Sequence, residues 1–291
     1  MTAFYNEIDP FAAKWLRNLI AAGHIAPGVV DERSIDEVSA NDIKDFDQVH
    51  LFAGIGGWSC ALRLASWADT RPVWTISCPC QPFSQAGIGL AFDDKRHLWP
   101  VVADLLRECV PNTIFGEQVA SPAGLAWFDV VRSDMEAMGY PCGNIVLPSS
   151  SIGAPHPRHR NWWCAIKMAD FEQARLGSGT GIVGNTVIAR LEGLAGNGDD
   201  GDQPGWVNPC ASGSIAAPGI HGIPWAELEW ISCRDGKSRP TQPGLFPLAH
   251  GISARVGKLR AYGNAIVPQL AAEVIMATMP DFAAAPRDLR C

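Results

Sequence analysis

The chain has 291 residues, 47% of them hydrophobic, and a formal charge of −7. That is enough for one large domain, or a domain with a small companion, around an ample core. The acidic balance excludes a protein that coats nucleic acid indiscriminately but leaves room for a local basic face, while the opening MTAFYNEIDP shows no secretion signal and no segment reaches the roughly 20 apolar residues that span a bilayer.

In chain order the pattern predicts a strand at 3–6, a helix at 10–22 with Phe11, Trp15, Leu16, Leu19 and Ile20 on one stripe, and strands at 28–30 and 48–52. A helix at 58–68, a strand at 73–77, a helix at 98–109, a strand at 113–115, a helix at 123–138 and strands at 143–147 and 162–166 follow. Short apolar runs alternating with helical spacing predict α/β architecture with a mostly parallel sheet, over residues 1–167. Residues 168–240 turn Gly-, Asn-, Asp- and Pro-rich and read as a small loop-rich domain, in which Trp206, Trp225 and Trp230 supply packing. Residues 241–291 return to the first domain, with helical spacing over 261–279 through Ile266, Leu270, Val274 and Ile275. Acids crowd residues 1–50, whereas 232–262 carry Arg234, Lys237, Arg239, Arg255, Lys258 and Arg260 against Asp235, so a basic face comes from the C-terminal part. Nine unevenly spaced cysteines without a secretion signal read as reduced thiols in a cytoplasmic protein.

The loop Ser77-Cys78-Pro79-Cys80-Gln81-Pro82-Phe83-Ser84 follows an apolar run, at the strand edge where open α/β sheets keep their active sites. On its own it reads equally as a nucleophile held by stiff prolines or as ordinary buried thiols. A metal site is disfavoured, since CxC here and HxxH at His156–His159 lack paired zinc spacing. Glu117, in Gly116-Glu117-Gln118-Val119, reads as a second group just past a strand's end; a carboxylic acid beside a thiol suits attack on an unsaturated ring that must accept a proton or hydrogen bond. Arg158 and Arg160 share one face if their segment is extended, but alone such a pair reads more simply as a solvated basic turn. The turn Phe52-Ala53-Gly54-Ile55-Gly56-Gly57 between a strand and a helix brings backbone N–H groups near a nucleotide-like ligand, or merely packs a helix on a sheet.

Taken together, these segments resemble the cytosine-C5 DNA methyltransferases. The family's FxGxGG loop matches Phe52 to Gly57, its PCQ loop matches Pro79-Cys80-Gln81, its ENV element matches Glu117-Gln118-Val119, its QxRxR element matches His156 to Arg160, and its GN element matches Gly263-Asn264. The resemblance implies a Rossmann-like methyltransferase fold, S-adenosylmethionine as cofactor, no metal, and double-stranded DNA as partner, with residues 168–240 reading the target. It implies Cys80, Glu117, Arg158 and Arg160 as catalytic. Phe52, Ala53, Gly54, Gly56, Gly57, Pro79 and Asn264 would line the cofactor site, with Gln81, Ser84 and Gln118 supporting the substrate loop. A monomer in a bacterial or phage-infected cell, with a separate restriction endonuclease as a possible companion, completes the expectation. The rival readings are an RNA (tRNA) cytosine-C5 methyltransferase and a catalytically silent DNA-binding relative.

The sequence departs from the family pattern at Gln118, where the family has asparagine, and at His156, where it has glutamine. The extra methylene of Gln118 is expected to displace the loop it should steady. About twenty residues separate the glycine loop from PCQ, too few for the two strands and helices the family places there. Those parts are expected at the N-terminus instead: Glu7 closing the strand whose acid meets the ribose, and Asp31 and Glu32 closing the strand beside the adenine. Such a permutation sends the helix at 58–68 straight to the nucleophile strand, and a right-handed crossover would put that helix on the opposite sheet face from the usual one.

Overall fold

The structure, a computed structural model, describes residues 2–79, 98–154, 156, 158–167, 229–232, 238–241 and 263–278. In chain order it runs β1 (Ala3–Asn6), α1 (Pro10–Ala21), β2 (Gly28–Asp31), a 3-10 turn at Ile35–Glu37, α2 (Ala40–Ile43), β3 (Gln48–Leu51), α3 (Gly57–Leu64) and β4 (Val73–Ile76). Then come α4 (Trp99–Cys109), β5 (Thr113–Val119), α5 (Pro122–Ala137), β6 (Cys142–Pro148), β7 (His159–Ile166), β8 (Glu229–Ser232), β9 (Ser238–Thr241) and α6 (Pro268–Thr278). Seven strands form one sheet in the order β2-β1-β3-β4-β5-β7-β6, and β8 and β9 pair as a separate antiparallel hairpin. From β2 to β5 all pairings are parallel, and β7 runs antiparallel to both β5 and β6. This is a doubly wound, Rossmann-like α/β fold, as expected from the alternation of strand and helix patterns.

Local chemistry explains the helix starts. Asp9 caps α1 by accepting from the N–H groups of Phe11 (2.8 Å) and Ala12 (3.2 Å), with Pro10 at the first helical position, and Ser121 caps α5 the same way through Gly124 N–H at 3.1 Å. Strands β1, β3 and β4 are buried at every residue, because helices cover both faces. One face, under α2, α4 and α5, buries Trp99, Trp127, Trp163 and Phe128, with Trp99 edge-on to Trp127 at 5.8 Å. The other face carries α1, α3 and α6, where Trp58 meets Trp162 edge-on at 5.6 Å over Phe115. Gly116 lets Trp163 lie flat against the sheet: a Cβ there would fall 1.9 Å from the indole.

Three expectations are corrected. The strand read at 113–115 extends to Val119, because β7 offers a longer antiparallel partner than β4 does. Cys60 is disulfide-bonded rather than a reduced thiol. Helix α3 does not change faces. The steps from β2 to β3 through α2, from β3 to β4 through α3 and towards β5 through α4 all move the same way across the sheet, yet α3 alone of these lies on the α1 face. Its crossover therefore has the opposite hand to the others, against a strong general rule. A helix on that face would be ordinary if it led from β3 back to β1. Specific contacts hold it there: Ser59 Oγ lies 3.0 Å from Tyr5 Oη and accepts from Ala26 N–H at 3.1 Å, and Gly57 sits against Ile266.

Candidate active site

Because β1 to β5 are parallel, their C-terminal ends line one edge of the sheet, and β7, being antiparallel, begins at that same edge. The edge thus collects Glu7 after β1, the glycine loop after β3, Ser77-Cys78-Pro79 after β4, Glu117 and Gln118 in the part of β5 that outruns β4, and Arg158 and Arg160 at the start of β7. Cys80, Gln81 and Ser84 lie outside the described residues.

Glu117 and Arg160 are joined at 2.6 Å between Oε1 and Nε, with side chains only 9% and 18% exposed. The register explains this: Arg160 is two residues before Trp162, the partner of Glu117, so both side chains rise on one face as diagonal neighbours. Burial raises the Glu117 carboxyl, the positive charges of Arg160 and Arg158 lower it, and burial prevails. An acid held up in this way takes a proton more readily than an exposed one. Arg160 also donates to the His159 carbonyl at 2.9 Å.

Gln118, the longer side chain at the position where displacement of the loop was expected, bonds to the loop's root at Cys78, while Cys80 itself lies outside the described residues. Gln118 Nε2 donates to the Cys78 carbonyl at 3.2 Å, and its Oε1 accepts from Val119 N–H at 2.9 Å. Both Gln118 and Cys78 are buried. On the other side Trp58 Nε1 donates to Ser77 Oγ at 2.9 Å, so the root of the Pro79-Cys80 loop is tied to β5 and to α3.

The glycine loop turns through left-handed backbone at Phe52 (φ 57°), Gly54 (φ 57°) and Gly56 (φ 85°). For the phenylalanine this costs on the order of 1–2 kcal/mol, a strain typical of functional turns. A Cβ on Gly56 would crowd Leu16 at 3.2 Å, and one on Gly57 would meet Ile266 Cγ1 at 2.6 Å, so this turn admits both α1 and the C-terminal segment. Ala53 N–H donates to the Asn6 carbonyl at 2.9 Å, which seats the turn on β1. Glu7 spans the gap between the two strand ends, its Oε2 accepting from Gly54 N–H at 2.7 Å and its Oε1 from Asp9 N–H at 2.9 Å. A glycine turn opening a helix, with an acid against its amide, suits the polar ends of a nucleoside-bearing cofactor. Asp31 and Glu32 are engaged by arginines. Arg33 Nε and Nη2 grip the Asp31 carboxylate at 3.0 and 2.6 Å and hold its pKa down, and Arg17 pairs with Glu32 at 2.6 Å.

Arg158 is engaged by backbone carbonyls. Its Nη1 donates to the Gly263 carbonyl at 2.7 Å and its Nη2 to the Ala265 carbonyl at 2.8 Å, which brackets the exposed Asn264. Pro79 is exposed and His156 is exposed. Reading motifs one at a time missed the Arg158 bridge and the Trp58–Ser77 bond. Nothing in local sequence signals a contact spanning more than a hundred positions.

A family model for C-5 cytosine-specific DNA methylases matches residues 73–175. The Type II methyltransferase M.CviJI of Paramecium bursaria Chlorella virus IL3A is 34% identical over 99 residues, which cover 34% of this chain and 27% of that protein. Among solved structures, Entamoeba histolytica methyltransferase EhMeth aligns at 19% identity and a TM-score of 0.40 over 56% of this chain and 44% of its own. Spodoptera frugiperda DNMT2 aligns at 17% identity and 0.37 over 57% and 42%. The chain thus spans less than half the length of each of these relatives.

Proposed function

We propose, on the premise that this chain belongs to the C-5 cytosine-specific DNA methylase family through residues 73–175, that it transfers a methyl group from S-adenosylmethionine to C5 of a cytosine in double-stranded DNA. The observation that carries the reading is the buried Glu117–Arg160 pair standing beside the Gln118-held root of the Pro79-Cys80-Gln81 loop.

The ring carbons of cytosine are inaccessible in stacked duplex, so the base is turned out into the site. Cys80 as thiolate adds to C6, forming an S–C6 bond and shifting an electron pair to C5, while protonated Glu117 donates to N3 and so accepts the developing charge. Arg160 holds both Glu117 and the base oxygen O2 in place. S-adenosylmethionine supplies the electrophilic methyl group that C5 takes up. Loss of the C5 proton to a base, return of the N3 proton to Glu117 and rupture of the S–C6 bond restore the aromatic ring and return the thiolate. Glu7, bonded to the Gly54 amide, and the glycine loop would hold the cofactor's polar groups, with Phe52, Asp31 and Glu32 as the other residues that would line its site. Residues 168–240 serve as the target reader, through base edges in the major groove with phosphate contacts around them. The protein works as a monomer in the cytoplasm, with or without a companion endonuclease.

The experiment compares transfer of a labelled methyl group to duplex DNA and to tRNA, with adduct formation on duplex containing 5-fluorocytosine as the second readout. Transfer to duplex and a covalent adduct that Cys80→Ser abolishes are expected. Transfer to tRNA alone would move the substrate to RNA, and neither transfer nor adduct from folded protein would leave a silent DNA-binding relative.

A further inference from the structure

The contacts around the site close on themselves. From the nucleophile loop, the Cys78 carbonyl is held by Gln118 in β5 at 3.2 Å, and next to Gln118 stands Glu117, paired with Arg160 at 2.6 Å. Two residues along β7, Arg158 grips the carbonyls of Gly263 and Ala265 at 2.7 and 2.8 Å. The adjoining Ile266, buried, packs on Gly57 so closely that a single added carbon would sit 2.6 Å from it. Gly57 begins α3, whose next residue, Trp58, donates to Ser77 at 2.9 Å and returns to the nucleophile loop. Two of the links join the base end of the site to the glycine-loop end: Arg158 to the Gly263–Ala265 turn, and Trp58 to Ser77. Among the hydrogen bonds of this ring Arg158 makes the ones with the longest reach, 105 and 107 positions along the chain.

We infer that Arg158 is a positioning residue rather than one that touches the base or a phosphate: it pins the Gly263–Ala265 turn, and with it Asn264, against the glycine loop and so makes the two ends of the site one mechanical unit. The inference rests on the proposed methyltransferase reading. Guanidinium geometry suits the task, because its planar fork meets two carbonyls two residues apart with separate nitrogens, whereas lysine carries all its donors on one atom. Two consequences follow. Cofactor affinity depends on Arg158 although Arg158 belongs to the base-contacting strand, and by reciprocity a bound base alters cofactor affinity through the same link.

The test is calorimetric titration of the full-length chain with S-adenosylhomocysteine, without DNA, together with hydrogen exchange at the amides of residues 264–266. Arg158→Met is expected to weaken binding by about tenfold to a hundredfold, the scale for losing hydrogen bonds from a charged donor. It is also expected to speed exchange at residues 264–266, with Arg158→Lys recovering part of both. Ile266→Ala opens the ring at another link and is expected to weaken binding in the same direction, so it carries the test if Arg158→Met does not fold. Unchanged binding in these variants, with methyl transfer to DNA alone lost, would overturn the inference and return Arg158 to the base or phosphate. Failure of the wild-type chain itself to bind S-adenosylhomocysteine would instead sink the methyltransferase reading beneath it.

Discussion

Replacing Gln118 with asparagine, the residue the family pattern has at this position, is expected to harm this protein. The bond from Gln118 Nε2 to the Cys78 carbonyl is 3.2 Å long, and shortening the side chain by one methylene withdraws the donor by roughly 1.5 Å, beyond hydrogen-bond reach. The Cys78 carbonyl then stays in a buried residue without this donor, a loss of about 1–3 kcal/mol. In a domain of this size that lowers the melting temperature by about 2–4 °C per kcal/mol. If the same contact steadies the loop in the transition state, adduct formation slows by roughly fivefold to a hundredfold. Gln118→Glu keeps the length and the acceptor for Val119 N–H but removes the donor, and should show the same loss. Thermal unfolding and the rate of adduct formation on 5-fluorocytosine duplex measure both effects. A Gln118→Asn protein as stable as the wild type and as fast or faster would refute the reasoning, because the shorter side chain would then be the one the loop prefers.

Two further outcomes follow from the core and the chain path. His50 is wholly buried, with Nδ1 2.8 Å from Thr75 Oγ1, Nε2 3.3 Å from Gln48 Oε1 and its ring stacked on Tyr5 at 4.7 Å, and burial lowers its pKa to about 3. The unfolded chain protonates this group below about pH 6.5 and the folded one does not, so stability is level above that pH and falls as pH drops towards 3, by about 2 kcal/mol at pH 5. Urea unfolding of His50→Gln should show a flatter slope over that window; an unaltered slope would mean that other groups set it. A chain rearranged so that residues 48–72 precede residues 2–47, with short linkers, should fold and bind S-adenosylhomocysteine. The 47-to-73 join is direct, because Val73 N–H already bonds to the Asp47 carbonyl at 3.0 Å, and the 72-to-2 join crosses only β3, roughly 10 Å between the parallel starts of β4 and β1. Unfolded product would show that the direct β3-to-β4 path is required.

Much of the framework was legible in one dimension because it rests on local rules. Apolar runs marked β1, β3 and β4, buried throughout, and helical spacing marked α1 and α5, the latter read one residue late at Ala123. Phe52 to Gly57, Glu117 and Arg160 were named by the family resemblance, each motif alone being open to a bland reading, and their gathering at one edge follows from parallel strands. The 3-10 turn at Ile35–Glu37 and the four-residue α2 were invisible, being too short to show a period. So was the full length of β5, since a strand continues only as far as some partner pairs with it. Only the folded chain decided what the long-range side chains do. Gln118, judged by its length, looked misplaced, yet it spans the distance to Cys78 that the packed sheet presents. Arg158 read as part of a solvated basic turn on its own and as catalytic through the resemblance, and in the fold two carbonyls more than a hundred positions along the chain meet its fork. Helix α3 illustrates the division most clearly. Its sequence and its motif were plain, but its face is set by Tyr5, Ile266 and Trp162, whose combined packing outweighs the usual hand of the crossover.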